Sequence, residues 1–209
     1  MIVEEFDRYF EEFSKKVKHL TRLGAGMQKS ELFAFYALCR MKNIQLIIES
    51  GVAYGFSTEV LHTTLDIPVI GIDTGIFIDE GENVFDQAKA RLAKYPDITL
   101  HTGDGMYLLP KLIREHENKR IAVLIDGPKS FYAAALAGFV ANWCDLIGLH
   151  DAQDGHSRGT YIDAGDAISH HWGKGSMLLT RSPGFKNRYS PYIDDDERDT
   201  ELFIVFKEV

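Results

Sequence analysis

An apolar run ending in an acidic residue, two glycines and a pair of hydroxyls constrains this chain most: Ile47-Ile48-Glu49-Ser50-Gly51-Val52-Ala53-Tyr54-Gly55-Phe56-Ser57-Thr58. It reads as a buried strand, a tight turn and the opening of a helix. Glycine lacks the Cβ that would hold a ligand off the backbone, and the free N–H groups of a helix start favour an anionic group. Gly51 and Gly55 therefore mark a nucleotide-type binding turn. A dinucleotide fingerprint would need glycines at 51, 53 and 56, where Ala53 and Phe56 stand; the pattern is instead Glu-x-Gly-x-x-x-Gly.

Apolar runs and helical patterns then alternate. Strands are expected over 45–50, 69–73, 98–103, 121–126 and 146–150, with helices over 57–64, 82–93, 106–115 and 130–141. A helix over 163–172 and strands at 177–180 and 202–207 follow, the latter two joined by a polar connection whose acidic run, 194–199, reads as a solvated loop. Two helices, over 4–20 and 31–41, come before. Strands joined by helical crossovers imply a parallel sheet covered on both faces. With 209 residues, 45% hydrophobic and 26% charged, the chain suffices for one core.

Charge and targeting signals narrow the partners. A net charge of -8 argues against a nucleic-acid groove, which needs clustered Lys and Arg. The apolar stretch 132–149 is broken by Asn142 and Asp145 and reads as a helix followed by a buried strand, so no membrane span is expected. Cys39 and Cys144 lie in apolar segments as buried thiols. The N-terminus runs straight into Glu4-Glu5 without a basic, apolar leader, and a cytoplasmic protein is expected. Phe6, Phe10 and Phe13 form an apolar helix face that needs a cover, from the chain's own core or from a second copy in a homo-oligomer.

In an open parallel sheet the ligand lies beyond the carboxyl ends of the strands. Here those ends are Glu49-Ser50-Gly51, Asp73, Asp104, Asp126 and His150-Asp151. Over residues 44–151 this ladder, with the glycine turn, resembles the class I S-adenosylmethionine-dependent methyltransferases. The resemblance implies a Rossmann-like α/β fold: a seven-stranded, mostly parallel sheet with helices on both faces and an antiparallel C-terminal strand. Residues 1–42 would be N-terminal helices capping substrate or an oligomer contact, and 43–209 the methyltransferase domain.

The resemblance also implies the contacts to S-adenosylmethionine. Glu49, Tyr54 and the backbone at Gly51 and Gly55 would face its methionine part, and Ser57 and Thr58 its carboxylate. Asp73 would accept from both ribose hydroxyls. Asp104, Gly105 and Met106 would meet the adenine, with Asp126 nearby. A nicotinamide-dependent oxidoreductase would share Asp73 but not the glycine spacing, and a non-catalytic cofactor-binding protein would share both.

The Asp126-Gly127-Pro128-Lys129 element resembles catechol-type small-molecule O-methyltransferases, which implies Asp126 as a metal ligand and Lys129 as the base that takes the acceptor's hydroxyl proton. Asp151 would be a second ligand for Mg2+. Ala152 stands where that family has an amide ligand, and Gln153, Asp154 or His156 are the candidates to replace it. His150-Asp151 is similar to the methyltransferase domain 24 type, in which an Asp-Gly element and a later His-Asp recur on these two strands, and the resemblance implies His150 as a general base or a ligand. The expected partner is a small hydroxylated acceptor. Its walls would come from the N-terminal helices, the 153–161 loop and the 183–199 connection with Phe185, Tyr189 and Tyr192.

Overall fold

The computed structural model describes residues 2–24, 26–153, 155–196 and 200–208, and not the side chains of residues 2, 3, 155 and 156. Three helices come first: α1 (Ile2–Glu5), α2 (Asp7–Val17) and α3 (Lys29–Met41). The alternating core follows with β1 (Leu46–Ser50), α4 (Phe56–Leu65), β2 (Val69–Asp73), the short strands β3 (Ile78–Asp79) and β4 (Glu82–Asn83), α5 (Val84–Leu92) and β5 (Ile98–Thr102). It continues through α6 (Gly105–Glu115), β6 (Ile121–Ile125), α7 (Ser130–Val140), β7 (Leu146–Leu149) and α8 (Gly155–His171). The chain ends with β8 (Gly175–Leu179), α9 (Pro183–Ile193) and β9 (Phe203–Lys207).

The seven-stranded sheet has the order β5-β2-β1-β6-β7-β9-β8. Every pair from β5 to β7 is parallel, and β9 runs antiparallel between β7 and β8. Successive side chains of a strand point to opposite faces, so strands buried on both faces are apolar throughout. Ile47, Ala122 and Leu124 join a core with α2, α3, α4 and α9, while Leu46, Ile48, Val123 and Ile125 join one with α6, α7 and α8. The chain leaves β1 towards β2 and β5 on one side, and later builds β6 and β7 on the other. This reversal opens a crevice at the carboxyl ends of β1 and β6.

The apolar face of α2 is covered by the chain itself. Phe6 and Phe13 are fully buried, and the Phe13 ring lies 5.3 Å from Phe33 and 5.1 Å from Tyr36 on α3. Phe10 meets Tyr189 of α9 at 5.2 Å.

Four expectations need correction. The helix expected from residue 82 starts at Val84, because Asn83 caps it by accepting from the N–H groups of Phe85 and Asp86, and β3 pairs with β4 just before it. The expected 153–161 loop is largely the first part of α8. Residues 183–193 are helical, since Pro183 stands in the first turn, where proline costs no hydrogen bond. Phe185 and Tyr189 consequently face the core rather than a substrate, and only Tyr192 stays exposed. The acidic run after α9 is not a free solvated loop. Asp194 accepts from Ser30 N and Oγ at 2.7 Å each, Asp195 pairs with Lys29 at 2.9 Å, and Asp196 meets Arg22 and Gln28. These carboxylates lie at the positive end of α3. Among the described residues no helix is long and apolar enough to cross a membrane.

Phe13→Ala should therefore lower stability by roughly 3–5 kcal/mol, the range for truncating a buried phenylalanine. Denaturant unfolding followed by circular dichroism measures it.

Candidate active site

The crevice begins where β1 and β6 end. Gly51 has φ +93° and donates its N–H to Ile72 O at 2.8 Å. A Cβ there would lie 2.6 Å from Gly127 N and 2.8 Å from Asp126 C. The strand ends themselves thus demand glycine, in addition to any ligand. Gly55 has φ +77° and caps α4, and its N–H closes the turn onto Val52 O at 2.9 Å.

Asp73 ties the next strand end to this turn. Its Oδ2 accepts from Val52 N and Ala53 N at 3.0 Å each, and its Oδ1 from Gly75 N at 2.9 Å. Three of about four acceptor sites on the carboxylate are filled. Asp104 caps α6 by accepting from Met106 N at 2.8 Å. Along the rim, in the order of the strands, Asp104, Asp73, Gly51, Asp126 and His150 line one cleft of about 840 Å3. Gly105, Lys129 and Asp151 line it too.

Glu49, Tyr54, Gly55, Ser57, Thr58 and Met106 do not line this cleft. Ser57 and Thr58, expected to meet a cofactor carboxylate, donate their hydroxyls to the fully buried Glu49. The cause is the start of α4 at Phe56, which turns residues 57 and 58 back beneath the end of β1. The Tyr54 hydroxyl donates to Asp79 on β3. Met106 packs against the core beneath α6. Burial pushes the Glu49 carboxyl up to about 8; the Ser57 and Thr58 hydroxyls oppose that shift, and the charges of Asp126 and Asp73 add to it. Glu49 is then protonated at neutral pH.

A tight charge cluster closes the β6–β7 end of the cleft. Asp126 Oδ1 lies 2.7 Å from His150 Nδ1 and accepts from Lys129 Nζ. Lys129 Nζ also lies 2.6 Å from Asp151 Oδ2. On its other side the His150 ring meets Glu31, with Nε2 3.6 Å from Oε2. Burial alone would lower the His150 pKa, but Asp126 and Glu31 outweigh it and hold the imidazolium up to about 10. The same balance keeps Lys129 an ammonium: burial opposes the charge, and Asp126 and Asp151 prevail. Burial would raise Asp126, yet His150 and Lys129 hold it well below the usual carboxylate range.

Ligand atoms of Asp126, His150 and Asp151 all lie within 4.8 Å of one another, and the two carboxylates among them suit a divalent cation. Ala152 is fully buried, with its N–H on Glu201 O at 3.0 Å. Gln153 donates to Asp151 Oδ1 at 3.2 Å and so reaches the group from behind. Asp154 and the His156 side chain lie outside the described residues.

Sequence reasoning missed Glu31. This residue of α3 is 2% exposed, and its Oε2 accepts from Gln28 N at 2.6 Å and Thr200 Oγ1 at 3.0 Å. The available signal was the Gln28…Glu31 spacing of a capping box, which puts the cap at Gln28 and the helix start two residues before the expected residue 31.

No protein-family model and no curated protein sequence matches the chain. Solved structures do. A protein from Staphylococcus aureus assigned as a caffeoyl-CoA O-methyltransferase is 17% identical, with 96% of this chain and 91% of that chain covered at a TM-score of 0.56. The O-methyltransferase TomG from Streptomyces achromogenes, solved with S-adenosylmethionine, is 12% identical (97% and 91% covered, TM-score 0.57). An O-methyltransferase from Bacillus cereus in complex with S-adenosylhomocysteine is 15% identical (98% and 91%, TM-score 0.53). These likenesses establish the fold, which is Rossmann-like and of the class I methyltransferase type.

Two tests follow from the geometry. The folded Glu49 carboxyl keeps a proton that the unfolded chain releases near its ordinary value of 4.5, so this residue makes stability fall as pH rises from 4.5 towards about 8. Glu49→Gln should remove up to roughly 1.4 kcal/mol per pH unit of that slope, read from denaturant unfolding at several pH values. Gly51→Val should fail to fold, rather than yield a folded chain that has lost only its ligand, and circular dichroism separates the two outcomes.

Proposed function

We propose that this chain is an S-adenosylmethionine-dependent methyltransferase that methylates an oxygen of a small hydroxylated acceptor. One observation carries the reading: a single cleft joins the glycine turn and Asp73 to the charged group of Asp126, Lys129, His150 and Asp151. The first set suits the cofactor and the second suits a hydroxyl that must lose its proton. The net charge of -8 favours a small-molecule acceptor over a nucleic acid. The free, buried Cys39 and Cys144 accord with the reducing cytoplasm.

Bound S-adenosylmethionine supplies a methyl group on a sulfonium, which an oxygen attacks in line and far faster once deprotonated. Asp73, held by three backbone N–H groups, retains room for one ribose hydroxyl rather than the two expected. Gly51 keeps the wall of the cleft bare of side chain. Lys129 stands half-exposed at the mouth of the charged group, within reach of an acceptor hydroxyl. Its carboxylate neighbours keep it protonated in the free protein, and a positive charge brought into the cleft disfavours the ammonium, turning Lys129 into a base. His150, an imidazolium between Asp126 and Glu31, holds Asp126 in place and is not itself the base. Asp126 and Asp151 would hold Mg2+ through carboxylate oxygens, which would favour the alkoxide form of the acceptor.

Calorimetry tests the cofactor half. Asp73→Ala should weaken S-adenosylmethionine binding by roughly 1.5–3 kcal/mol, the range for hydrogen bonds to charged groups, and unchanged affinity in a folded variant would remove Asp73 from the site. Lys129→Ala should lower kcat by roughly 10²–10⁴-fold with cofactor affinity preserved. Chelator should suppress turnover and magnesium should restore it. Full activity both in chelator and in Lys129→Ala would overturn the chemistry assigned here while leaving the cofactor contacts standing.

A further inference from the structure

A second cavity, of about 580 Å3, lies between the start of α3 and the polar face of α9. It adjoins the cofactor cleft, for Thr200 lines both. Glu31 lines the cavity and His150 the cleft, and their contact at 3.6 Å forms the partition. Glu31 Oε1 is buried without a hydrogen-bond partner, as is His150 Nε2. A buried carboxylate oxygen left unpaired is costly unless a ligand donates to it.

We propose that this cavity is the acceptor site and that it takes a polyhydroxylated, sugar-like molecule rather than a planar phenol. The proposal rests on the methyltransferase reading above and names its substrate class. The wall chemistry supports it. Ser30, Thr180, Lys186, Asn187 and Ser190 offer hydrogen-bond donors and acceptors around the cavity, and among the described residues no aromatic ring lines it. The period of α9 explains the difference. Phe185, Tyr189 and Ile193 recur every four residues and are buried in the core, which leaves Lys186, Asn187 and Ser190 on the cavity side. A planar ring gains most from apolar and aromatic walls, whereas a polyol needs a partner for each hydroxyl. Among the described carboxylates of the cavity, Asp194, Asp195 and Asp196 are already matched by Ser30, Lys29 and Arg22, so Glu31 Oε1 remains the acceptor to be filled. A hydroxyl donating there lies beside the partition, and Thr200, which lines both spaces, marks where the cavity meets the cleft that Lys129 lines.

Ligand-observed saturation-transfer NMR on the full chain with excess S-adenosylhomocysteine tests this. The probes are methyl glycosides of glucose, rhamnose and glucuronic acid against catechol and caffeic acid. At least one glycoside should receive saturation. That signal should vanish in Asn187→Trp, an exposed position whose enlargement fills the cavity, with S-adenosylhomocysteine affinity unchanged by calorimetry. Glu31→Gln should weaken the glycoside by roughly tenfold, as expected for a lost hydrogen bond to a charged group. No signal from any glycoside, a glycoside signal that persists in Asn187→Trp, or binding of catechol or caffeic acid that Asn187→Trp abolishes would each overturn the proposal. Failure of S-adenosylhomocysteine to bind would instead overturn the cofactor reading. The glycoside arm repeated without it still reads the cavity.

Discussion

Where β1 and β6 end side by side, the backbone of residue 51 runs so close to residue 127 that no side chain fits between them. Asp126 N and Gly127 N both donate to Ser50 O, at 2.8 and 2.9 Å, so the two strand ends are stitched together just as their chains part. Everything functional hangs from this seam. On one side Asp73 reaches back to the turn after β1. On the other, Asp126 anchors Lys129 and His150. A shift of the seam would move both groups relative to each other, and methyl transfer tolerates little misplacement of the reacting atoms.

Electrostatics gives the two halves opposite characters. Glu49, sealed beneath the turn, carries its proton and spends its lone pairs on Ser57 and Thr58. The β6–β7 group does the reverse and packs full charges against one another, with Lys129 and His150 balancing Asp126, Asp151 and Glu31. Removing one member of such a group strands its partners, which makes a buried charge cluster costly to break and specific in its geometry.

The central sheet was legible because strands buried on both faces must be apolar throughout, and the acidic strand ends marked one rim. Other elements were hidden for definite reasons. β3 and β4 are two residues each and largely exposed, too short for any alternation to show. α9 contains Pro183 and Pro191, which read as helix breakers although the first occupies a tolerated position. Ser57 and Thr58 were legible as residues of the turn, but the direction of their hydroxyls depends on where α4 begins. Glu31 was invisible as a site residue because only the tertiary fold brings α3 against β7.

The clasp between the start of α3 and the acidic run after α9 joins positions far apart in the chain: Ser30 and Asp194 are 164 residues apart, Arg22 and Asp196 174. Thr200, beyond the clasp, donates to Glu31 across 169 residues. On the ribosome, α3 emerges early and its N-terminal N–H groups wait for a partner made 164 residues later. The sheet from β1 to β7 can assemble before then, but Glu31 lacks the Thr200 hydroxyl until that residue appears. A polypeptide that stops short of Asp194 carries the whole nucleotide-type turn and the charged group, yet lacks the carboxylates and Thr200 that close the second cavity. Synthesis order therefore builds the cofactor half first and leaves the acceptor half to the closing of this clasp.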